Sequence, residues 1–449
     1  MITKKTLFIG ICLAMTLSIP TNSLSQKKLS FSQRLKVKQQ LKEGKILVYG
    51  SDYRGALSVF RKILSVDSAN ATANFRVAEC HYNLGKPKLG IKYGERALRL
   101  DSLVNTDVYF VLGESYHRIG ELEKAVKNYM VFKSKSSTKT NEDYEVDRLI
   151  KQCEYAKKMM LKPVNATITN MGRRINTFNP EYSASVTADG KVIVFTSRRA
   201  DSEGGEIDEM SDRMYFEDIY ISYWNDTNKE WSISEPVPGS VNSPTHDAVL
   251  SISPDGRSVY VYKNELGETK SGDVYIARKT EDNRFGRAKP VDEGRNVNSS
   301  YFEGSASAMQ EGDVLYFVSD RPGGNGQADI YMAKKEGRDW GKAINLGDSI
   351  NTSGDEVGVY IHPSGEYLFF TSNGHQSMGS YDIFISKKVD GIWSKAINLG
   401  YPINTVGEEK TISVTQDLTK AYISANRKGG KGGSDIYEVD LSQLDIFKK

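Results

Sequence analysis

The chain has 449 residues, 39% hydrophobic and 26% charged, with a formal net charge of +3. That length admits two or three domains, and the balance is that of a soluble globular protein. Three cysteines in the whole chain exclude a disulfide-built scaffold. The near-neutral total hides an asymmetry. Residues 26–162 carry 27 Lys and Arg against 15 Asp and Glu, whereas residues 163–449 carry 31 against 42. Two binding surfaces of different character are expected.

Residues 1–25 read as a signal peptide. Lys4 and Lys5 precede the apolar run Leu7–Ile19, and Ser23-Leu24-Ser25 places small residues before an expected cleavage at Gln26. The run is short for a bilayer span. Cys12 lies inside it behind Ile11, so lipidation there is not expected. No later stretch is long enough for a transmembrane helix. The remaining cysteines, Cys80 and Cys153, sit in helical patterns and are expected as buried free thiols, although an exported compartment permits a disulfide.

Residues 26–162 are expected to form helical hairpins. Leu112-Gly113, Tyr116, Gly120, Ala125 and Tyr129 follow a spacing in which small residues let two helices approach, a glycine turns the chain and two tyrosines fill the groove. Weaker copies carry Gly44, Leu47, Ala56 and Phe60, then Ala78, His81, Gly85, Gly90 and Gly94. Asp67-Ser68 and Asp101-Ser102 lie 34 residues apart. Asn141–Lys162 reads as one capping helix. These motifs resemble the tetratricopeptide repeat, which implies a stack that binds a protein segment on its concave face. His81 and His117 are expected as packing residues.

Residues 163–449 repeat five times. Asp218-Ile219-Tyr220, Asp273-Val274-Tyr275, Asp329-Ile330-Tyr331, Asp382-Ile383-Phe384 and Asp435-Ile436-Tyr437 are separated by 55, 56, 53 and 53 residues. A β-rich run precedes each, most with a Gly turn before it, and an aromatic follows four of them at Trp231, Phe285, Trp340 and Trp393. Each unit holds about four short strands, which is one propeller blade. Residues 165–170 are expected to supply the last strand of the fifth blade and so close the ring. The runs Ser319–Tyr331 and Ser424–Tyr437 resemble the WD40-like repeat of TolB-type propellers. The expected fold class is therefore α + β multidomain: an N-terminal α-solenoid followed by an all-β five-bladed propeller.

No Gly-x-Ser-x-Gly elbow, His-Glu-x-x-His or P-loop occurs, so no catalytic residue, cofactor or metal ligand is assigned and the chain is expected not to be an enzyme. The aspartate of each tripeptide is expected to bond the turn before it. A second acidic column, Glu181, Asp247, Glu303, Glu356 and Glu409, stands four residues past each blade-start Thr or Ser. It forms either an acidic ring at the channel mouth that takes a cation or a basic partner segment, or a repeated structural bond. With Tyr116 and Tyr129 it makes up the candidate partner-binding set. The first blade carries an acidic insertion between Arg199 and Tyr215 with Asp201, Glu203, Glu206, Asp208, Glu209 and Asp212. His246, His362 and His375 are isolated in sequence and are expected at the surface or in turns.

The tandem resembles cell-envelope proteins of the Bacteroidetes type, some of them tied to type IX secretion, but without the OmpA-like domain many of those carry. The resemblance implies a periplasmic or outer-membrane-associated scaffold whose partners are other envelope proteins, with any outer-membrane association made through them and no nucleic acid bound. The alternative is a carbohydrate-binding or glycoside-hydrolase-like propeller.

Overall fold

The computed structural model describes residues 29–209, 213–264, 272–292 and 294–447. The expected signal peptide lies outside them, as do Met210–Asp212 of the blade-1 insertion.

Eight helices come first: α1 (Phe31–Tyr49), α2 (Tyr53–Val66), α3 (Ala71–Asn83), α4 (Pro87–Leu100), α5 (Asp107–Arg118), α6 (Leu122–Lys135), α7 (Thr138–Asp143) and α8 (Val146–Leu161). Their starts are written locally. Ser30 and Gln33 form a capping box, Asp52 accepts from the Gly55 amide at 2.8 Å, and Pro87 opens α4. The helices pack as antiparallel hairpins through missing side chains. A Cβ on Gly44 would stand 2.5 Å from the Phe60 ring, and one on Gly113 2.7 Å from Tyr129. Gly90 and Gly94, where the repeat pattern prefers Ala and an aromatic, lie under Ser115 and Leu112 of the next hairpin, with no room for a larger residue. The expected single helix Asn141–Lys162 is broken at Glu145, whose φ of 48° lies in the left-handed region. Cys80 and Cys153 are free and buried, and burial pushes each thiol up to about 12.

The strands form five antiparallel sheets arranged as a ring. The inner strands of blades 1 to 5 are Glu181–Val186, Ala248–Ile252, Glu303–Ala308, Glu356–Ile361 and Glu409–Val414. Each pairs with a second strand, and the second with a third that begins at the Asp of the repeated tripeptide. Thr167–Asn170 pairs with Asp435–Asp440, with Asn170 opposite Tyr437, so the fifth sheet is completed by the segment that leaves α8. The turn before most second strands uses a glycine at positive φ, as at Gly256 (φ 70°). In blade 5 Leu418 takes that conformation (φ 58°) without one.

Adjacent blades are stitched at the axis by hydroxyls. The Ile252 amide donates to Ser185 Oγ (3.0 Å), Ser251 Oγ to the Ala306 carbonyl (2.7 Å), the Ile361 amide to Ser307 Oγ (3.1 Å), and the Val186 amide to Ser413 Oγ (2.9 Å). Tyr360 makes the remaining link, from its hydroxyl to the Val414 carbonyl at 2.5 Å. A pocket of about 20 Å3 lies between the inner strands, lined by Ser183, Ser251, Ser305, Tyr360 and Thr411, with room for roughly one water.

Candidate functional site

The acidic column does not form an open ring. Glu181, Asp247, Glu303, Glu356 and Glu409 are all fully buried. Glu303 shows the pattern: it accepts from the Ser299 amide (2.9 Å), Ser299 Oγ (2.7 Å) and Ser319 Oγ (2.8 Å), and Arg321 lies 3.0 Å away. Arg199 serves Glu181, Arg427 serves Glu409 and Lys263 serves Asp247 in the same way. These carboxylates fasten each inner strand to the loop before it, so of the two readings the repeated structural bond holds, and none of the five stands open to a partner or a cation. Four of the tripeptide aspartates, Asp218, Asp329, Asp382 and Asp435, bond the loop before them, while most of the loop before Asp273 lies outside the described residues. Asp382 accepts from the Met378 and Gly379 amides at 2.8 and 3.2 Å and from Asn398 Nδ2 at 2.7 Å. Asp435 repeats this with Lys431, Gly432 and Asn170.

Tyr116 and Tyr129 also turn inward. Tyr129 is fully buried and donates to Glu114 at 2.6 Å; Tyr116 donates to Glu95 at 2.5 Å. Both hold helix to helix, so neither is a free contact for a partner. His81 and His117 are buried as expected. Each of the three propeller histidines has a bonding partner within the chain. His362 is buried and reaches Ser364 Oγ at 2.8 Å, in a turn. His246 lies between Glu217 (3.0 Å) and Asp208 of the insertion (3.2 Å). These bonds raise its pKa. Elsewhere in that insertion Asp201 accepts from the Tyr220 hydroxyl at 2.7 Å. Among the described residues no group of three or more His, Cys, Asp or Glu is placed to hold a metal ion.

Blade 4 breaks the pattern, and it is the blade that meets the helices. The loop Asn373–Tyr381 has the length of its blade-3 counterpart, but Gly374 stands where blades 3 and 5 have Arg321 and Arg427. A Cβ at Gly374 would lie 1.8 Å from Thr352 Oγ1, so no arginine fits. His375 replaces only part of the arginine's work, bonding the Ile350 carbonyl from Nε2 at 2.7 Å. Glu356 is left with hydroxyl and amide donors, and burial pushes its carboxyl up to about 7.

In this loop Met378 replaces Asn325 of blade 3 and Lys431 of blade 5. Its side chain is fully buried in the helical core, in a cluster with Phe75, Tyr116, Tyr129 and Cys153. Tyr401 and Val406 pack beside it. The backbone is captured too. His117 donates from Nε2 to the Met378 carbonyl at 2.8 Å, and burial lowers its pKa, which keeps the ring neutral. Gln152 Nε2 donates to the Gly379 carbonyl (2.9 Å) and to Ser377 Oγ (2.7 Å). His117 and Gln152 belong to α5 and α8. With α3 these present the face that helical-repeat stacks offer to partners, and here part of it holds the protein's own propeller.

The rest of that face forms a cleft on either side of Gln152. One pocket, of about 310 Å3, is lined by Tyr82, Phe110, Arg118 and Arg148 from the helices and Tyr381 and Ser380 from the propeller. The other, of about 390 Å3, is lined by Lys151, Tyr155 and Lys158 across from His375 and Gln376. Both offer aromatic faces beside cations, suited to an extended segment with apolar and hydrogen-bonding groups. Arg118 is held over the Tyr82 ring, with 3.2 Å to its hydroxyl.

Neither a protein-family model nor a curated protein matches the chain. Among solved structures, TolB from Acinetobacter baumannii is similar at 17% identity over 59% of this chain, with a TM-score of 0.34. The chain spans 55% of that protein's length. The Yersinia enterocolitica type III secretion chaperone SycD, solved with a peptide of the translocator YopD, is 15% identical over 27% of this chain and 94% of its own, with a TM-score of 0.25. The second tetratricopeptide domain of human RPAP3, solved with an HSP70 peptide, is 16% identical over 26% of this chain and 98% of its own, with a TM-score of 0.23. The chain's own elements show its architecture: antiparallel helical hairpins docked on a five-bladed β-propeller.

Proposed function

We propose that the protein is a non-catalytic scaffold of the bacterial cell envelope that holds an extended segment of a partner protein in the cleft between α3, α5, α8 and blade 4. The observation that carries this reading is the docking through Met378, His117 and Gln152, which makes one binding surface from two modules. Export rests on the charged and apolar segment Lys4–Ile19. A hydrolase needs two carboxylates that face a shared cavity. The regular carboxylates here are buried and bonded within their own blades, which favours binding over chemistry.

The test is affinity capture from native envelope extract at about 50 and 150 mM salt, a range in which exposed charge contacts weaken but buried ones persist. A partner protein retained by the full chain, and lost with Arg118→Glu plus Tyr381→Ala, supports the reading. Recovery of no protein at either salt overturns it.

A further inference from the structure

We infer that the solvent face of α1 docks on an anionic phospholipid bilayer. The helix is apolar on both sides. Val37 and Gly44 face α2 and are buried. On the opposite side Phe31, Leu35, Ile46 and Tyr49 are 78%, 60%, 70% and 86% exposed. With Lys38 and Lys42 between them, these residues follow steps of three and four and form a single stripe. The outer face of a solenoid's first helix is ordinarily polar, so this stripe calls for a cover.

Charge indicates what the cover is. The helix carries Arg34, Lys36, Lys38, Lys42 and Lys45 against Glu43 alone. None of these five cations takes part in the ion pairs among the described residues. Apolar side chains flanked by unneutralised cations match the boundary between acyl chains and anionic headgroups, where lysine stems lie along the apolar layer and their ammonium groups reach phosphate. Shape agrees. From Phe31 to Tyr49 the face is a convex rod about 27 Å long at ~1.5 Å per residue. It offers no groove for a protein segment, whereas a flat bilayer meets all four apolar residues at once. The cleft on α3, α5 and α8 does not include this face, so the inference stands apart from the proposed partner binding.

The experiment is co-sedimentation of the chain from Gln26 onward, which keeps every described residue, with vesicles. One set is 30% phosphatidylglycerol in phosphatidylcholine; the other is phosphatidylcholine alone. Binding to the anionic vesicles at 50 mM salt, lost at 500 mM, is expected. Lys38→Gln plus Lys42→Gln is expected to weaken it about 30-fold, at roughly fivefold for each lysine near a charged surface. Phe31→Ser plus Tyr49→Ser is expected to weaken it roughly tenfold or more. Lys127→Gln plus Lys139→Gln, with the same loss of charge on α6 and α7, is expected to change it less than about threefold. The inference is overturned by equal binding to both vesicle types, by equal losses in the α1 and control variants, or by no binding at all. It is also overturned if sedimentation equilibrium shows a dimer that Phe31→Ser plus Tyr49→Ser dissolves, since the face would then meet a second copy.

Discussion

Replacing Met378 with the asparagine found at the same place in blade 3 tests whether one side chain couples the two modules. In blade 3 the loop keeps its turn with Asn325, whose backbone amide donates to Asp329 as that of Met378 does to Asp382. Blade 4 is therefore expected to fold normally in Met378→Asn. What is lost is a fully buried side chain in the helical core. Burial of such a group is worth about 2–3 kcal/mol, and a polar amide in its place gains no partner there. The bonds from His117 and Gln152 hold only while the loop is seated, so the loss falls on the docked state. For a module of this size it corresponds to a fall of roughly 5–10 °C in the melting of the helices, with the propeller transition little changed. Calorimetry reads the two transitions, and small-angle scattering reads the separation of the modules. Asn325→Met, facing no helix, serves as the control. An unchanged helical transition with an unchanged scattering curve in Met378→Asn would refute the coupling.

Arg321→Ala removes the cation beside the buried Glu303 and the donors to the Asn296 and Val297 carbonyls; a loss of about 3–5 kcal/mol in propeller stability is expected by denaturant titration. Glu356 makes stability depend on pH. Its folded pKa, about 7, lies above the ordinary 4.5, so its contribution is fully present below 4.5 and is lost as pH rises through 7. Relative to the native chain, Glu356→Gln is expected to gain stability between pH 5 and 8; a constant difference in melting temperature over that range would contradict the buried, unpaired carboxyl. Cys80 and Cys153, both buried with thiols pushed up to about 12, are expected to resist Ellman's reagent at pH 8 until the chain is unfolded. Rapid labelling of the native protein would show that the helical core opens readily.

The parts of the fold that repeat were the readable parts. Five tripeptides on a 53–56 residue beat announce five blades, and the asparagine of the closing strand, Asn170, does for Asp435 what Asn345 and Asn398 do for their own aspartates. The acidic column was visible but its direction was not, because a carboxylate aimed at solvent and one aimed at its own loop have the same period. A signal was present: Glu181, Glu303 and Glu409 are each followed 18 residues later by an arginine, and Glu356 by Gly374. The cleft was harder to see. Docking of one module on another leaves no periodicity, and its trace is an apolar residue, Met378, where sibling loops carry Asn325 and Lys431. The His246 contacts join an insertion to the next blade, and an insertion has no sibling with which to compare it.

The strand Thr167–Asn170 sets a timetable. It is synthesised before any blade, yet the first residue of its partner Asp435–Asp440 follows Asn170 by 265 residues. At about 5–20 residues per second the strand waits roughly 13–55 s for that partner. Until then the ring stays open at its first-made end, whatever the state of the four blades between. A chain cut short in blade 5 thus exposes a free strand edge that the finished protein never shows, a mark by which proteases and chaperones can tell the incomplete molecule from the complete one.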